Sequence, residues 1–279
     1  MTSKFRWLVN SLFIVGIIII SVNIYGLFIP LWNPEIKNEI QSAHKNDITL
    51  SQDQIYLAIN SDTKDKRIYA RKMTETINNG IAHYWEEEGV DKYHLRIPFY
   101  NNFILFGASY FMPEKFLKYE FADYHRAIDR GLGQCSQLAI ILAEVLYEKG
   151  IKSKMVGLSG HVVATAQVDE ASDEWWILDA DYGVVIPADL TTIEKNPEII
   201  VPYYLNAGYD KETVSLMEDV YGKEGNQLID GYGIGKYSIL TNYFEKVSYV
   251  LIWLIPISFL LPLLCFRFIS RKTRNQNSN

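Results

Sequence analysis

Three side chains in the middle of the chain are of the types that acyl transfer through a thiol requires. Cys135 follows Gly131-Leu132-Gly133-Gln134 and opens a run of helix formers that reaches Lys149 and ends at Gly150. At a helix N-terminus the backbone N–H groups and the helix dipole favour a thiolate, the nucleophilic form of cysteine. The same N–H groups can hold an oxyanion. Such a nucleophile needs a base, and the base needs a group that orients it. Among His44, His83, His94, His125 and His161, only His161 heads a strand-like run, directly after Ser159-Gly160. Asp179 lies in the next such run beside Ile177, Leu178 and Ala180, where a lone carboxylate is costly to bury unless it has a partner. An imidazole on an adjacent antiparallel strand is such a partner. Asp181 is the alternative orienting acid; Gly133 and Gln134 are support residues, Gln134 being a loop residue or an oxyanion donor; His125 reads as structural.

These residues need a helix and a sheet to bring them together. Apolar residues Ile68, Met73, Ile77, Ile81 and Tyr84 recur at helical spacing between Lys64 and Trp85, with Gly89 beyond as a stop. The stretch from Cys135 to Lys149 is apolar on most sides and predicts a buried helix. Three strand-like runs follow, Ser153 to Leu158, His161 to Val168 and Trp175 to Asp181, joined by short turns that favour antiparallel pairing. A short helix is expected from Asp210 to Val220, then a Gly-rich link from Gly222 to Gly235. A Cys-bearing helix packed on an antiparallel meander makes the fold class α+β. Ten aromatic residues crowd Phe99 to Tyr124 and are expected to pack as core and groove wall.

The charge distribution places this domain. No charged residue occurs in the 28 positions between Arg6 and Glu35, nor in the 20 between Lys246 and Arg267. Both runs are long enough for a helix to cross a bilayer, and no small-x-small cleavage pattern follows the first. Pro256 and Pro262 bend the second without disqualifying it. All 33 acidic residues lie between the two runs, with 21 of the 27 basic ones, so the middle carries −12 and the ends +6. Basic residues outside both spans predict cytoplasmic termini and an extracytoplasmic middle. An acidic middle argues against nucleic acid as a partner. The resulting organisation is a cytoplasmic N-terminus (1–6), a first span (7–29), a stalk (30–62), a domain (63–221), a link (222–246), a second span (247–266) and a basic cytoplasmic tail (267–279). Cys265 falls at the cytoplasmic end of the second span, so it cannot reach Cys135 in a disulfide.

The run from Gly131 to Gly183 resembles the core of the transglutaminase-like superfamily of papain-like cysteine enzymes. That family shows a Gly-x-Cys helix start, an Ala-rich helix ending in Gly-Ile, a basic strand, Gly-His, and Trp followed by Leu-Asp. Counterparts here are Gly133-Gln134-Cys135, Gly150-Ile151, Gly160-His161 and Trp176 to Asp179. The resemblance covers about 55 of the 279 residues. It implies Cys135 as nucleophile, His161 as general base and acid, and Asp179 as the orienting carboxylate, with no cofactor. It departs from the family at Val163 and Ser136, where many relatives carry Trp, so substrate choice does not transfer. No calcium-loop pattern is present, so no metal is implied. The implied substrate is a peptide, protein or other amide or ester; the alternative is an idle scaffold subunit of an envelope complex.

Overall fold

Ser3–Gly26 form the first helix, α1, in the computed structural model, which describes residues 3–36, 48–84, 86–223, 225–229 and 239–276. The chain divides into two units, residues 1–30, 96–117 and 244–279 in one and residues 31–95 and 118–243 in the other.

Following α1 come α2 (Gln52–Ile59), α3 (Lys66–Gly80), β1 (Ala82–His83), α4 (Phe103–Phe111), α5 (Pro113–Phe116), α6 (Tyr124–Arg130), β2 (Leu132–Gly133) and α7 (Cys135–Glu148). Strands β3 (Ser153–Gly157), β4 (Val162–Asp169), β5 (Glu174–Asp179) and β6 (Val184–Ile186) make a meander. Then come α8 (Leu190–Lys195), α9 (Val201–Asn206), α10 (Lys211–Gly222), β7 (Gln227–Ile229) and α11 (Ile239–Gln276).

The first unit is built on α1 and α11. Each contains a 23-residue stretch, Lys4–Gly26 and Asn242–Leu264, long and apolar enough to cross a membrane. At 1.5 Å per residue each stretch spans about 34 Å, against a hydrocarbon core of about 30 Å. The Asn23 side-chain amide of α1 donates to the Ile252 carbonyl of α11 at 2.6 Å, within a helix that contains Pro256 and Pro262. Residues 96–117 belong to this unit, which differs from the uninterrupted outer domain expected at 63–221. The expected aromatic core divides accordingly. Phe116, Tyr119, Phe121 and Tyr124 are buried, whereas Phe99, Tyr110 and Phe111 are exposed.

The second unit carries the antiparallel sheet, in the order β6-β5-β4-β3-β7. Met155 of β3 packs with Ala139, Ile140 and Ala143 of α7 on one face. On the other face Val156, Val163, Ile177 and Ile186 pack with Leu190, Ile193, Tyr204 and Met217 from α8 to α10. Burial on both faces explains why β4 reads as a nearly continuous buried strand rather than an alternating one. The architecture is thus mixed α and β with an antiparallel sheet, as the α+β reading requires.

Several elements differ from expectation in detail. Asp65, not Lys64, opens α3 by capping it, its carboxylate accepting from the N–H groups of Arg67 and Ile68. Asp210 caps α10 through the Thr213 N–H, so that helix begins at Lys211. The region expected as a polar stalk contains α2, closed by a capping box between Ser51 and Gln54. Strand β7 occupies part of the expected Gly-rich link and pairs with β3, Met155 opposite Ile229. His44, the remainder of the stalk and residues 230–238 of the link lie outside the described residues.

Candidate active site

Cys135 is the first residue of α7, a helix whose next eleven residues are all buried. Gly133 makes that start possible. A Cβ there would lie 2.5 Å from Cβ of Gln137, one turn into the helix, so the incoming chain runs against the helix end. Gly131 turns the chain out of α6 with φ +74°, a left-handed conformation that suits glycine. Between them β2 pairs in parallel with β1, setting His83 opposite Gly133. Gln134 is the N-cap residue, and its side chain makes no capping hydrogen bond.

The first turn of α7 is braced from below by a buried polar network. Arg130 is fully buried and donates to the carbonyls of Leu132 (3.1 Å) and Tyr119 (2.5 Å) and to Oε1 of Gln137 (3.1 Å). Gln137 also takes the N–H of Phe121 and donates to the Phe121 carbonyl. The Glu120 carboxylate accepts from the Ser136 hydroxyl and from the Gln137 N–H, so an acid caps the helix end that carries Cys135. Burial pushes the Glu120 carboxyl above its ordinary value, against the pull of Ser136 and Arg130. Nothing in the local sequence around Glu120 marks it, because its partners are sixteen residues away.

His161 sits at the foot of β4 after Gly160, which has φ +90°. Its Nε2 meets Oδ2 of Asp179 at 2.9 Å, and the Cys135 thiol lies near enough to help raise its pKa. With Nε2 directed to the carboxylate, Nδ1 is the nitrogen left for sulfur. Helix head, strand start and strand end thus bring Cys135, His161 and Asp179 into one neighbourhood, with His161 bonded to Asp179. Antiparallel pairing of β4 with β5 brings about the second contact: Ala164 opposite Leu178 sets Asp179 beside the start of β4, where His161 leads in.

Asp179 is fully buried and accepts four hydrogen bonds. Oδ2 takes His161 and the Tyr204 hydroxyl (2.6 Å), while Oδ1 takes the backbone N–H groups of Asp181 (3.0 Å) and Tyr182 (3.1 Å). Burial alone would raise its pKa, but His161, Tyr204 and the Tyr182 N–H together hold it below the ordinary carboxylate value. Burial likewise pulls His161 down, and the charge and hydrogen bond of Asp179, joined by Cys135, outweigh it and hold the imidazole well above its ordinary value. Both shifts favour the same species, an imidazolium against a carboxylate. An aromatic wall encloses the pair. The Tyr182 ring stands edge-on to His161 at 5.4 Å, and Tyr204 contacts Tyr182, Tyr209 and Tyr221.

Of the two acids weighed in the sequence, Asp179 holds His161. Asp181 instead meets Nδ1 of His83 at 2.6 Å, a second His–carboxylate pair two residues along the chain. Asn78 of α3 fixes the intervening turn by donating to the carbonyls of Ala180 and Asp181. His125 stacks with Tyr56 and Tyr124, away from these groups in the contacts it makes, which agrees with a structural role. Sequence reasoning missed Tyr204, His83 and Glu120. The capping pattern near Asp210 was readable, but none of these three has a local motif. Among the described residues no group of three or more His, Cys, Asp or Glu side chains is placed to hold a metal ion.

No family model matches the chain, and neither does any curated protein or solved structure. The site offers a thiol at a helix head, an imidazole whose pKa that thiol helps to raise, and a buried anion fixing the imidazole.

Proposed function

We propose that the protein is a cysteine enzyme of acyl transfer, with a transglutaminase-like, papain-like domain anchored to a cytoplasmic membrane by α1 and α11. The observation that carries this reading is the hydrogen bond of His161 to the buried Asp179, with the Cys135 thiol close enough to help raise the pKa of the same imidazole. Cys135 gives its proton to His161 and attacks the carbonyl carbon of an amide or ester. The carbonyl π pair moves to oxygen, where N–H groups at the head of α7, that of Cys135 first among them, receive it. As the tetrahedral intermediate collapses, the bond to the leaving group breaks and the His161 proton passes to that amine or alcohol. Water or a second amine then attacks the thioester, losing its proton to His161 and releasing the thiol. Asp179 holds the imidazole in the orientation both steps need.

The charge pattern supports an extracytoplasmic domain with both termini in the cytoplasm, since basic residues flank the outer ends of both apolar stretches. The substrate class is a peptide, protein or other amide or ester. Reaction with iodoacetamide, scored at Cys135 by mass spectrometry, tests the assignment. Alkylation of the wild-type chain should be fast at neutral pH and should fall by at least tenfold in His161→Ala. Equal rates in the two proteins would refute a catalytic pair and favour the scaffold reading.

A further inference from the structure

The first unit contains an apolar element that neither the two long helices nor the proposed site explains. Between Arg96 and Glu114 the chain runs 17 residues without a charge, and its centre forms α4, Phe-Ile-Leu-Phe-Gly-Ala-Ser-Tyr-Phe. Leu105, Ala108 and Ser109 face inward, so one side of the helix is covered. The other side is not. Phe111 is 86% exposed, Tyr110 59%, Phe99 43% and Met112 40%. Large aromatic side chains grouped in this way on an exposed face mark a surface that meets an apolar partner.

Contacts within the unit fix where that face begins. The Asn102 side chain caps α4, accepting from the N–H groups of Ile104 and Leu105, while its amide donates to the Ser248 hydroxyl of α11 at 2.8 Å. Tyr249 of α11 donates to Oδ1 of Asn101 at 2.7 Å, and the Tyr100 ring stands edge-on to Tyr25 of α1. The start of α4 is therefore tied to residue 25 of one apolar stretch and residues 248 and 249 of the other. That level lies one residue inside the end of the first stretch and six to seven residues inside the start of the second. Tyrosines are also the side chains that settle at the boundary between hydrocarbon and headgroups. A helix of nine residues is about 13 Å long, too short to cross a bilayer and of a length suited to lying in its boundary. Charge brackets the apolar face: Arg96 lies over the Tyr110 ring at 4.8 Å and donates to its hydroxyl, and Glu114 and Lys115 follow in α5.

We infer that α4 with its flanking residues Phe99 and Met112 is a membrane-surface element, whose exposed aromatic face inserts into the acyl boundary of the leaflet reached by Tyr25 and Tyr249. The inference rests on the reading of α1 and α11 as spans. Its partner is lipid, because the start of α4 is tied to two helices that themselves need lipid around them.

Site-directed spin labelling of the full chain in lipid nanodiscs tests it. In a Cys135→Ser, Cys265→Ser background, a nitroxide is placed at Phe111→Cys, with Leu261→Cys, exposed on α11, and Ile68→Cys, exposed on α3, as references. The expected result is collision with oxygen exceeding collision with a water-soluble nickel chelate at positions 111 and 261, and the reverse order at 68. A label at 111 that behaves like the one at 68, while 261 stays oxygen-rich, overturns the inference and leaves the spans intact. A label at 111 that neither probe reaches also overturns it, in favour of a protein partner. If 261 itself behaves like 68, the spanning reading fails and the inference falls with it.

Discussion

Replacing Asp179 with Asn tests the centre of the proposed site more severely than removing the cysteine. Each carboxylate oxygen accepts two hydrogen bonds, His161 and Tyr204 on Oδ2, Asp181 and Tyr182 on Oδ1. An amide has one oxygen, so whichever way Asn faces, it serves two of those donors and turns an NH2 group on the other two. With the residue fully buried, no solvent relieves the conflict. At about 1 to 3 kcal/mol for each buried donor left without an acceptor, the cost is about 2 to 6 kcal/mol. For a unit of this size that lowers the melting temperature by at least about 4 °C. Chemistry suffers separately, because an uncharged partner no longer supports the imidazolium, and a loss of about 10²- to 10⁴-fold in alkylation of Cys135 is expected. Thermal unfolding in detergent and timed iodoacetamide labelling at neutral pH measure the two effects on one preparation. A variant that melts with the wild type and labels at the same rate would show that the four-donor carboxylate is not formed, and the reasoning would fall.

Asp181→Asn should be milder, since the amide oxygen can still receive the His83 proton; Cys135 labelling should stay within a few-fold of wild type, and a loss as deep as that of Asp179→Asn would reassign the orienting acid. Glu120→Ala removes the acceptor for Ser136 and Gln137 at the head of α7 and should cost about 1 kcal/mol, as losing a helix cap does, whereas Glu120→Gln should retain most of it. Because burial raises the Glu120 pKa, its contribution is full below the ordinary value of 4.5 and is lost as pH rises through the raised one; melting of Glu120→Gln across pH should lack that slope. The His161 contribution is full below 6.5 and lost as pH climbs through its raised pKa, and that of Asp179 is full above 3.8 and lost as pH falls through its lowered pKa. The melting gap between wild type and His161→Gln should thus be widest between those two ordinary values, and a gap independent of pH would contradict the ion pair.

The parts of this arrangement that were legible in the sequence are those whose cause is local. Gly131-x-Gly133 before a helix-forming run announces the start of α7, and short turns between apolar runs announce β3, β4 and β5. Asp179 was legible because a carboxylate between Ile177 and Leu178 on one side and Ala180 on the other needs a partner, and pairing of neighbouring strands supplies His161. Strand β7 was not, since three residues say little and their pairing with β3 joins positions more than seventy residues apart. The assignment of residues 96–117 to the unit of the long helices was hidden for a related reason. A buried aromatic and a lipid-facing one look alike in sequence, and only contacts such as Asn102 with Ser248 distinguish them. Helix α2 does have a local signal, since Ser51 and Gln54 stand at the spacing of a capping box.

The enclosure of the His161–Asp179 pair is what lends the proposed chemistry its strongest support. A buried ion pair is weak as a source of stability, because desolvating two charges costs about as much as their attraction returns, and an apolar pair of similar volume is commonly as stable or more so. Here the pair is enclosed by Tyr182, Tyr204, Tyr209 and Tyr221, side chains that could close an apolar core without it. Two of the four hydrogen bonds on Asp179 come from backbone N–H groups in a turn that Asn78 pins from another helix, so the carboxylate is held without help from water. A rigid buried anion fixes its imidazole in one orientation, with Nε2 on the carboxylate and the second ring nitrogen left for another partner. Packing alone requires none of these features. The proton transfer proposed between sulfur and nitrogen would use an imidazole held in this way, and that is the support the arrangement lends to the proposed activity.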